Sequence, residues 1–446
     1  MIEKTARGTA LAVLNRLTGK GAYANLALAE VLARSPLDVR DRAFCTELVY
    51  GVTRMRARLD YLLDRLLVRP LTLLPPAVRG LLRLSVYQLE FLSAAAPYAV
   101  VDEAVTLAKR RGFAGYAGLV NAVLRNFIRR RDELILPGPD QPFACLTVTL
   151  SHPSWLAERW LARLGPAEAL ALARANNESP PVVLRVNTLR TNGDELLARL
   201  RRAGVEAAPS TLVPEGIRLS GARAVEDLPG YDEGHFLAQD EGAILVGRVM
   251  APVPGERFID LCAAPGGKTT HLAALGKNRV EIVALDVHEH KVALLQENCR
   301  RLGVTGVTAL AADARRYEGE SADGVLLDAP CTGTGVLRRR ADLRWRRRPE
   351  DLGALVALQR EILHNAARLV RPGGRLVYST CSLEPEENEE QVRWFLAAHP
   401  EFRPEETAPY LPGAAAPAGE EPWLYLWPHR QGTDGFFVCR MGKHGA

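Results

Sequence analysis

The sequence has few devices for holding a fold together from outside. Its seven cysteines, Cys45, Cys145, Cys262, Cys299, Cys331, Cys381 and Cys439, show no paired spacing. Neither a disulfide framework nor a zinc site is therefore expected, and no other metal is implied. Free thiols fit the reducing cytoplasm as the compartment. No apolar run approaches the length of a membrane span, and Met1-Ile-Glu-Lys-Thr-Ala-Arg7 lacks the apolar core of a signal peptide. No membrane partner is expected. Charge of one sign is also scarce: 57 Lys and Arg against 52 Asp and Glu leave a formal +5. That balance is too mild to indicate nucleic acid by itself. The basic residues are nearly all arginine, so where they cluster says more than how many there are.

What is present is ordinary globular protein. Apolar residues make up 47% of the chain and charged residues 24%, and 446 residues call for two or three domains. The pattern suggests an all-α bundle over 1–135, a small α/β unit over 145–245 and an α/β domain over 246–446.

In the first segment, Ala6, Ala10, Val13, Leu14 and Leu17 mark one apolar face at helical spacing. Val78, Leu81, Leu82, Val86 and Leu89 mark another, and Leu119, Val120, Val123, Leu124 and Phe127 a further one. Pro70, Pro75-Pro76 and Pro97 fall between the runs, where helices end or begin. The polar faces carry Arg79, Arg83, Lys109, Arg110, Arg111, Arg125 and Arg129 to Arg131. Such faces are either solvated surface or a phosphate-contacting strip. Ala6 to Leu17, Asp41-Arg-Ala-Phe-Cys-Thr-Glu-Leu-Val-Tyr-Gly51 and Val120-Asn-Ala-Val-Leu-Arg125, in this order, resemble the NusB-like fold. That resemblance implies RNA binding.

Leu136-Pro-Gly-Pro-Asp-Gln-Pro142 reads as a linker. Helices then alternate with the strands Val182-Val-Leu-Arg-Val186 and Gly216-Ile-Arg-Leu219, as in a small α/β unit.

The last segment carries the chemistry. The strand Arg257-Phe-Ile-Asp-Leu261 runs into Cys262-Ala263-Ala264-Pro265-Gly266-Gly267-Lys268, and a helix follows. A glycine loop between strand and helix cradles a nucleotide-like ligand. Three further strands end in acids: Asp286 about 20 residues on, where a carboxylate accepts ribose hydroxyls, then Asp313, then Asp328. Asp328-Ala-Pro-Cys331-Thr-Gly-Thr-Gly335 sets a carboxylate and a thiol just past one strand, and Ser379-Thr-Cys381-Ser sets a second thiol past another. A cytosine C5 is too weak a nucleophile to take a sulfonium methyl unaided. A thiolate adding at C6 makes it enamine-like, and a second thiol can assist release. Arg338-Arg-Arg340 and Arg344-Trp-Arg-Arg-Arg348 follow the first thiol and read as a grip on RNA phosphates.

Two other classes compete. Gly267-Lys268-Thr269 imitates the end of a P-loop, but Cys262 stands where the first glycine of a triphosphate cradle belongs. A non-enzymatic RNA-binding or antitermination factor would follow from the helical segment alone.

The four motifs Cys262 to Lys268, Asp328 to Gly335, Ser379 to Ser382 and Gly432-Thr-Asp-Gly-Phe-Phe437 resemble the RNA 5-methylcytosine methyltransferases. With the NusB-like start, the whole chain is similar to the branch that acts on a cytosine of bacterial small-subunit ribosomal RNA. The resemblance implies a Rossmann-like class I methyltransferase domain, S-adenosyl-L-methionine as cofactor, ribosomal RNA as partner and a monomer. It implies Cys381 as nucleophile and Cys331 as the residue assisting release. The cofactor residues it implies are Cys262, Ala263, Ala264, Pro265, Gly266, Gly267, Lys268, Asp286, Asp313 and Asp328.

Overall fold

The computed structural model describes residues 5–20, 23–93, 96–221, 224–415 and 421–445. The chain divides into two compact units, Met1–Glu178 with Leu337–Arg348, and Ser179–Val336 with Pro349–Ala446.

The first unit is helical. Helices span Ala6–Lys20, Ala24–Ala33, Val39–Arg54, Arg56–Asp64, Pro76–Phe91, Pro97–Arg110 and Ala117–Arg130. The expected faces pack inward: Ala10, Val13, Val78, Leu82, Val86, Val120 and Leu124 are all buried in one core, together with Leu48 and Val52 of the third helix. Pro76 and Pro97 open their helices at the first turn, where the missing N–H costs nothing. Asp38 caps the third helix, accepting the Asp41 amide at 2.8 Å. A further helix, Ser154–Ala175, breaks at Gly165, whose φ of 74° and following Pro166 interrupt the helical path.

The second unit holds two sheets. The smaller is antiparallel, with order β2-β3-β1-β4, where β1 is Val182–Val186, β2 Ala207–Pro209, β3 Gly216–Leu219 and β4 Phe236–Ala238. The helix Gly193–Arg202 packs Leu196, Leu197 and Leu200 against it.

The larger sheet comprises β5 (Arg257–Asp260), β6 (Glu281–Asp286), β7 (Val307–Ala311), β8 (Ala322–Asp328), β9 (Val370–Thr380), β10 (Phe402–Glu405), β11 (Leu424–Leu426) and β12 (Phe436–Lys443). Its main path runs β10-β12-β9-β8-β5-β6-β7. Strands β9, β8, β5, β6 and β7 are mutually parallel, and β10, β11 and β12 add antiparallel pairs. This is a Rossmann-like doubly wound sheet. β12 pairs with β9 along one side and with β10 and β11 along the other. Phe437, Val438, Cys439 and Met441 of β12 are buried, as a strand covered on both faces requires.

The chain order reverses between β5 and β8, which makes that the switch point of the sheet, where ligands bind beyond the strands' carboxyl ends. The glycine loop after β5 and Asp328 at the end of β8 are thereby neighbours. Asp328 of β8 is in register with Ser379 of β9. The thiols three residues beyond the first and two beyond the second must emerge side by side.

Candidate active site

Cys331 Sγ and Cys381 Sγ lie 3.4 Å apart. Asp328 turns one oxygen to the Lys268 ammonium at 2.7 Å and accepts the Ser379 hydroxyl on the other at 2.8 Å. Lys268 is drawn down by burial, but the charge and hydrogen bond of Asp328 outweigh this, and Cys381 adds to the effect, so it stays above its ordinary value and cationic. The cation also faces the Phe436 ring, 5.4 Å from its centroid.

The two sulfurs differ electrostatically. Cys331 is pushed well up by its hydrogen bond to Cys381, by burial, and by the charges of Cys381, Glu387 and Asp328. Two thiols in contact cannot both ionise cheaply. Cys381 shares its surroundings with the Lys268 cation, whereas Cys331 faces carboxylates.

The glycine loop borders a cavity of about 220 Å³ lined by Cys262, Ala263, Ala264, Pro265, Gly267, Lys268 and Asp328, together with Asp260, Gln239 and Asn298. Gly266, at φ 96°, makes the turn into the next helix, whose first residues, Gly267 and Lys268, line the cavity. Asp286 and Asp313 stand at the ends of the next two strands and do not line this cavity. Asp286 accepts the His288 amide at 3.0 Å, with Lys291 at 3.8 Å. Asp313 has both oxygens engaged by Arg315, the shorter contact being 2.7 Å, which holds its carboxyl below the usual range.

Four groups here escaped the sequence reading. Asp260, the last residue of β5, is buried and pushed up to about 7, chiefly by burial. Thr269 donates to its Oδ2 at 2.7 Å, and its Oδ1 is buried without a partner. Arg185 is fully buried in β1, where burial draws it down to about 9. It donates to the Gly267 carbonyl, the Gln239 side chain and the Thr270 hydroxyl, so it anchors the start of the glycine-loop helix. A lone arginine in an apolar strand was its only signal.

Glu387 and Asn388 are the other two. Glu387 is wholly buried and pushed up by burial, an effect its donors oppose. It accepts the Thr332 amide at 2.9 Å, the Thr332 hydroxyl and Gln359 Nε2 at 3.0 Å, while Gln359 also donates to the Pro330 carbonyl at 2.9 Å. Both residues flanking Cys331 are thus fixed. Asn388 accepts the Thr380 hydroxyl and donates to the Ser382 carbonyl at 2.9 Å, fixing the residues flanking Cys381. Two adjacent residues therefore hold the two thiol loops. Gly335 presses between them: its amide donates to the Cys381 carbonyl at 2.9 Å, and a Cβ there would lie 2.3 Å from the Gly435 oxygen.

Glu387→Ala would strand the Thr332 and Gln359 donors in a buried site. Stability should fall by about 2 kcal/mol, and kcat by roughly 100-fold through a displaced thiol. Glu387→Gln, which keeps the volume, should lose less of both. Thermal melts and single-turnover rates check this.

A doubly wound sheet with a glycine loop at its switch point, acids closing successive strands and two thiols on adjacent loops defines a class I methyltransferase domain. Comparison with known proteins narrows the class. The 16S rRNA methyltransferase RsmB/F model matches residues 248–442, the NusB family model residues 4–129, and the ferredoxin-like domain of RsmF/B-like methyltransferases residues 152–226. The chain is 37% identical over 450 residues to the probable ribosomal RNA small subunit methyltransferase B of Bacillus subtilis, covering 100% of both. It is 38% identical over 414 residues to the ribosomal RNA small subunit methyltransferase B of Sodalis glossinidius, covering 92% of each. Among solved structures, PH0851 is similar with a TM-score of 0.82 and 32% identity over 99% of both chains. NSun6 from Pyrococcus horikoshii, solved with SFG, is similar with a TM-score of 0.61 and 26% identity, over 66% of this chain and 99% of that one. The chain belongs to the RsmB/F family of 16S rRNA methyltransferases, with a NusB domain before the ferredoxin-like and catalytic domains. Among the described residues, no group of His, Cys, Asp and Glu could hold a metal ion, and no helix is long and apolar enough to cross a membrane.

Proposed function

We propose that this enzyme methylates C5 of a cytosine in small-subunit ribosomal RNA, using S-adenosyl-L-methionine and a covalent bond from Cys381 to C6 of the base. The single observation that carries this reading is the 3.4 Å approach of two thiols beside Lys268, Asp328 and the glycine loop. The curated relatives are named for ribosomal RNA, and one solved relative holds SFG, an analogue of the cofactor.

The residues present fit that cofactor. The orphaned Oδ1 of Asp260 and the carboxylate of Asp328 suit a cationic ligand, and the loop from Cys262 through Gly266 to Lys268 leaves it room. Asp286 is the residue to take its ribose hydroxyls, and Asp313 lies one strand further out, toward the adenine. When bound, the cofactor supplies an electrophilic methyl group.

The chain's own groups do the rest. Cys381, reacting as its thiolate, forms a bond to C6, and the pair from the C5–C6 double bond moves onto C5. Asp328 faces the N3/N4 edge of the base. After methylation, C5 still carries its hydrogen. The sulfur of Cys381 is now a neutral thioether, so the like charge that held Cys331 protonated is gone. Cys331 then loses its proton to solvent and takes the C5 hydrogen as a proton. The electrons of that C–H bond restore the C5–C6 double bond and expel the Cys381 thiolate. The balance is one methyl gained and one proton released.

Incubating the purified chain with small-subunit ribosomal RNA and methyl-labelled cofactor should yield 5-methylcytidine on nucleoside analysis, at one position by bisulfite sequencing. Label at another atom or base would overturn the reading. RNA binding with no methyl transfer would leave the non-enzymatic alternative.

A further inference from the structure

The first unit contains a second cavity, of about 270 Å³, which the chemistry above does not use. Leu14, Leu17 and Val52 make its apolar wall, and Arg56, Arg79, Arg83, Trp345 and Arg346 its polar one, with a single carboxylate, Asp342, which accepts the Ala24 amide at 3.2 Å. Arg83 is neutralised by Asp60, to which it donates two bonds at 2.6 and 2.8 Å. Arg56 and Arg79 have no such partner: neither side chain makes a hydrogen bond or ion pair with any described residue, and the Nε of Arg79 is buried. Arg56 lies over the Trp345 ring, 5.2 Å from its centroid. Trp345 itself is fixed, its indole N–H donating to the Thr53 carbonyl at 2.6 Å. Burial and the neighbouring charges of Arg83 and Arg79 press Arg56 below its ordinary value, against the pull of Asp60.

Four arginines around this cavity, Arg56, Arg79, Arg83 and Arg346, outnumber the carboxylates Asp60 and Asp342, and neither Arg56 nor Arg79 is bonded to either, a surplus of half-buried positive charge that an anion would relieve. Guanidinium forks match phosphate in geometry, and they do so best where water is thin. The wall opposite is apolar and bounded by an indole, so the anion should carry a flat or apolar body. The volume sits at the lower limit for ligand pockets and accepts one such unit, not several.

We propose that this cavity takes a single nucleotide of single-stranded RNA, its phosphate on Arg56 and Arg79 and its sugar and base along Leu14, Leu17 and Trp345. The inference rests on an RNA substrate, as proposed above, but assigns a binding role to a site in the other unit.

The test uses the full chain and three probes: a short single-stranded RNA from the substrate, cytidine monophosphate and inorganic phosphate. Arg56→Gln and Arg79→Gln should each weaken RNA binding about tenfold. Each should also reduce the slope of log affinity against log salt by about 0.9. Cytidine monophosphate should compete weakly and phosphate more weakly still. Photo-crosslinking of 4-thiouridine RNA to the unsubstituted protein should label peptides containing Leu14, Leu17 or Trp345, a result that does not depend on any variant folding. Unchanged RNA affinity and salt slope in folded variants would overturn the proposal, as would crosslinks confined elsewhere. Cytidine monophosphate binding as tightly as RNA would make this a free-nucleotide site and also overturn it. If the unsubstituted protein binds no RNA at all, the functional reading itself falls.

Discussion

Cys381→Ala should lower methyl transfer by roughly 10⁴-fold or more, the scale of losing a covalent nucleophile, and should abolish any denaturant-resistant protein–RNA complex. Cys331→Ala should also stop turnover, but with the opposite signature: the protein should accumulate as a covalent complex with RNA whose base is already methylated. The contrast follows from the asymmetry around two sulfurs 3.4 Å apart. Cys381 has the Lys268 cation for company, whereas its hydrogen bond to Cys381, burial and the charges of Cys381, Glu387 and Asp328 push Cys331 well up. Without Cys331, addition and methylation proceed but nothing is placed to take the C5 proton. Gel electrophoresis under denaturing conditions with labelled RNA reads both outcomes. Trapping by Cys381→Ala and none by Cys331→Ala would reverse the roles. Lys268→Met should slow the addition step in single-turnover assays, because it removes the cation from beside the attacking sulfur.

Much of this site was legible because parallel strands are short apolar runs and functional residues stand at their ends. Val325, Leu326 and Leu327 of β8 are buried, and Asp328 and Cys331 follow directly. The same holds for β9, Ser379 and Cys381. Pairing was not legible. The 3.4 Å contact depends on Asp328 lying opposite Ser379, and register between strands some 50 residues apart leaves no trace in either. Strands β2 and β10 were missed for a different reason. Ala207–Pro209 and Phe402–Glu405 are short, lie on sheet edges and contain proline, which reads against a strand. Glu387 and Asn388 sit in a run of acids, Glu384-Pro-Glu-Glu-Asn-Glu-Glu390, that looks like solvated surface. Only tertiary structure shows that Glu384, Glu387 and Asn388 are buried and that the last two bond the thiol loops.

Within the arginine run after the active-site loop, Arg344 departs from the expected phosphate grip, and its replacement has the second large expected effect. Residues Leu337–Arg348 pack within the helical unit, and Arg344 is completely buried there. Its Nη1 donates to the carbonyls of Arg54 and Ser151 at 3.0 Å and to Asn177 Oδ1 at 2.8 Å, and its Nη2 to the Asn176 carbonyl at 3.1 Å. No carboxylate neutralises it among these partners; burial, with the nearby Arg54, draws its pKa well down. Arg344 therefore braces backbone carbonyls and cannot grip phosphate. Arg344→Ala would leave four acceptors facing a void, at a cost of about 3–5 kcal/mol. For a unit of this size that is roughly a 10 °C fall in its melting midpoint. Arg344→Lys should recover only part of it, since one ammonium cannot span four acceptors arranged for a planar fork. A phosphate-gripping arginine would behave otherwise, leaving the melt unchanged and making RNA binding less sensitive to salt. Calorimetry alongside a salt titration separates the two, and a full-strength melt for Arg344→Ala would refute the bracing role.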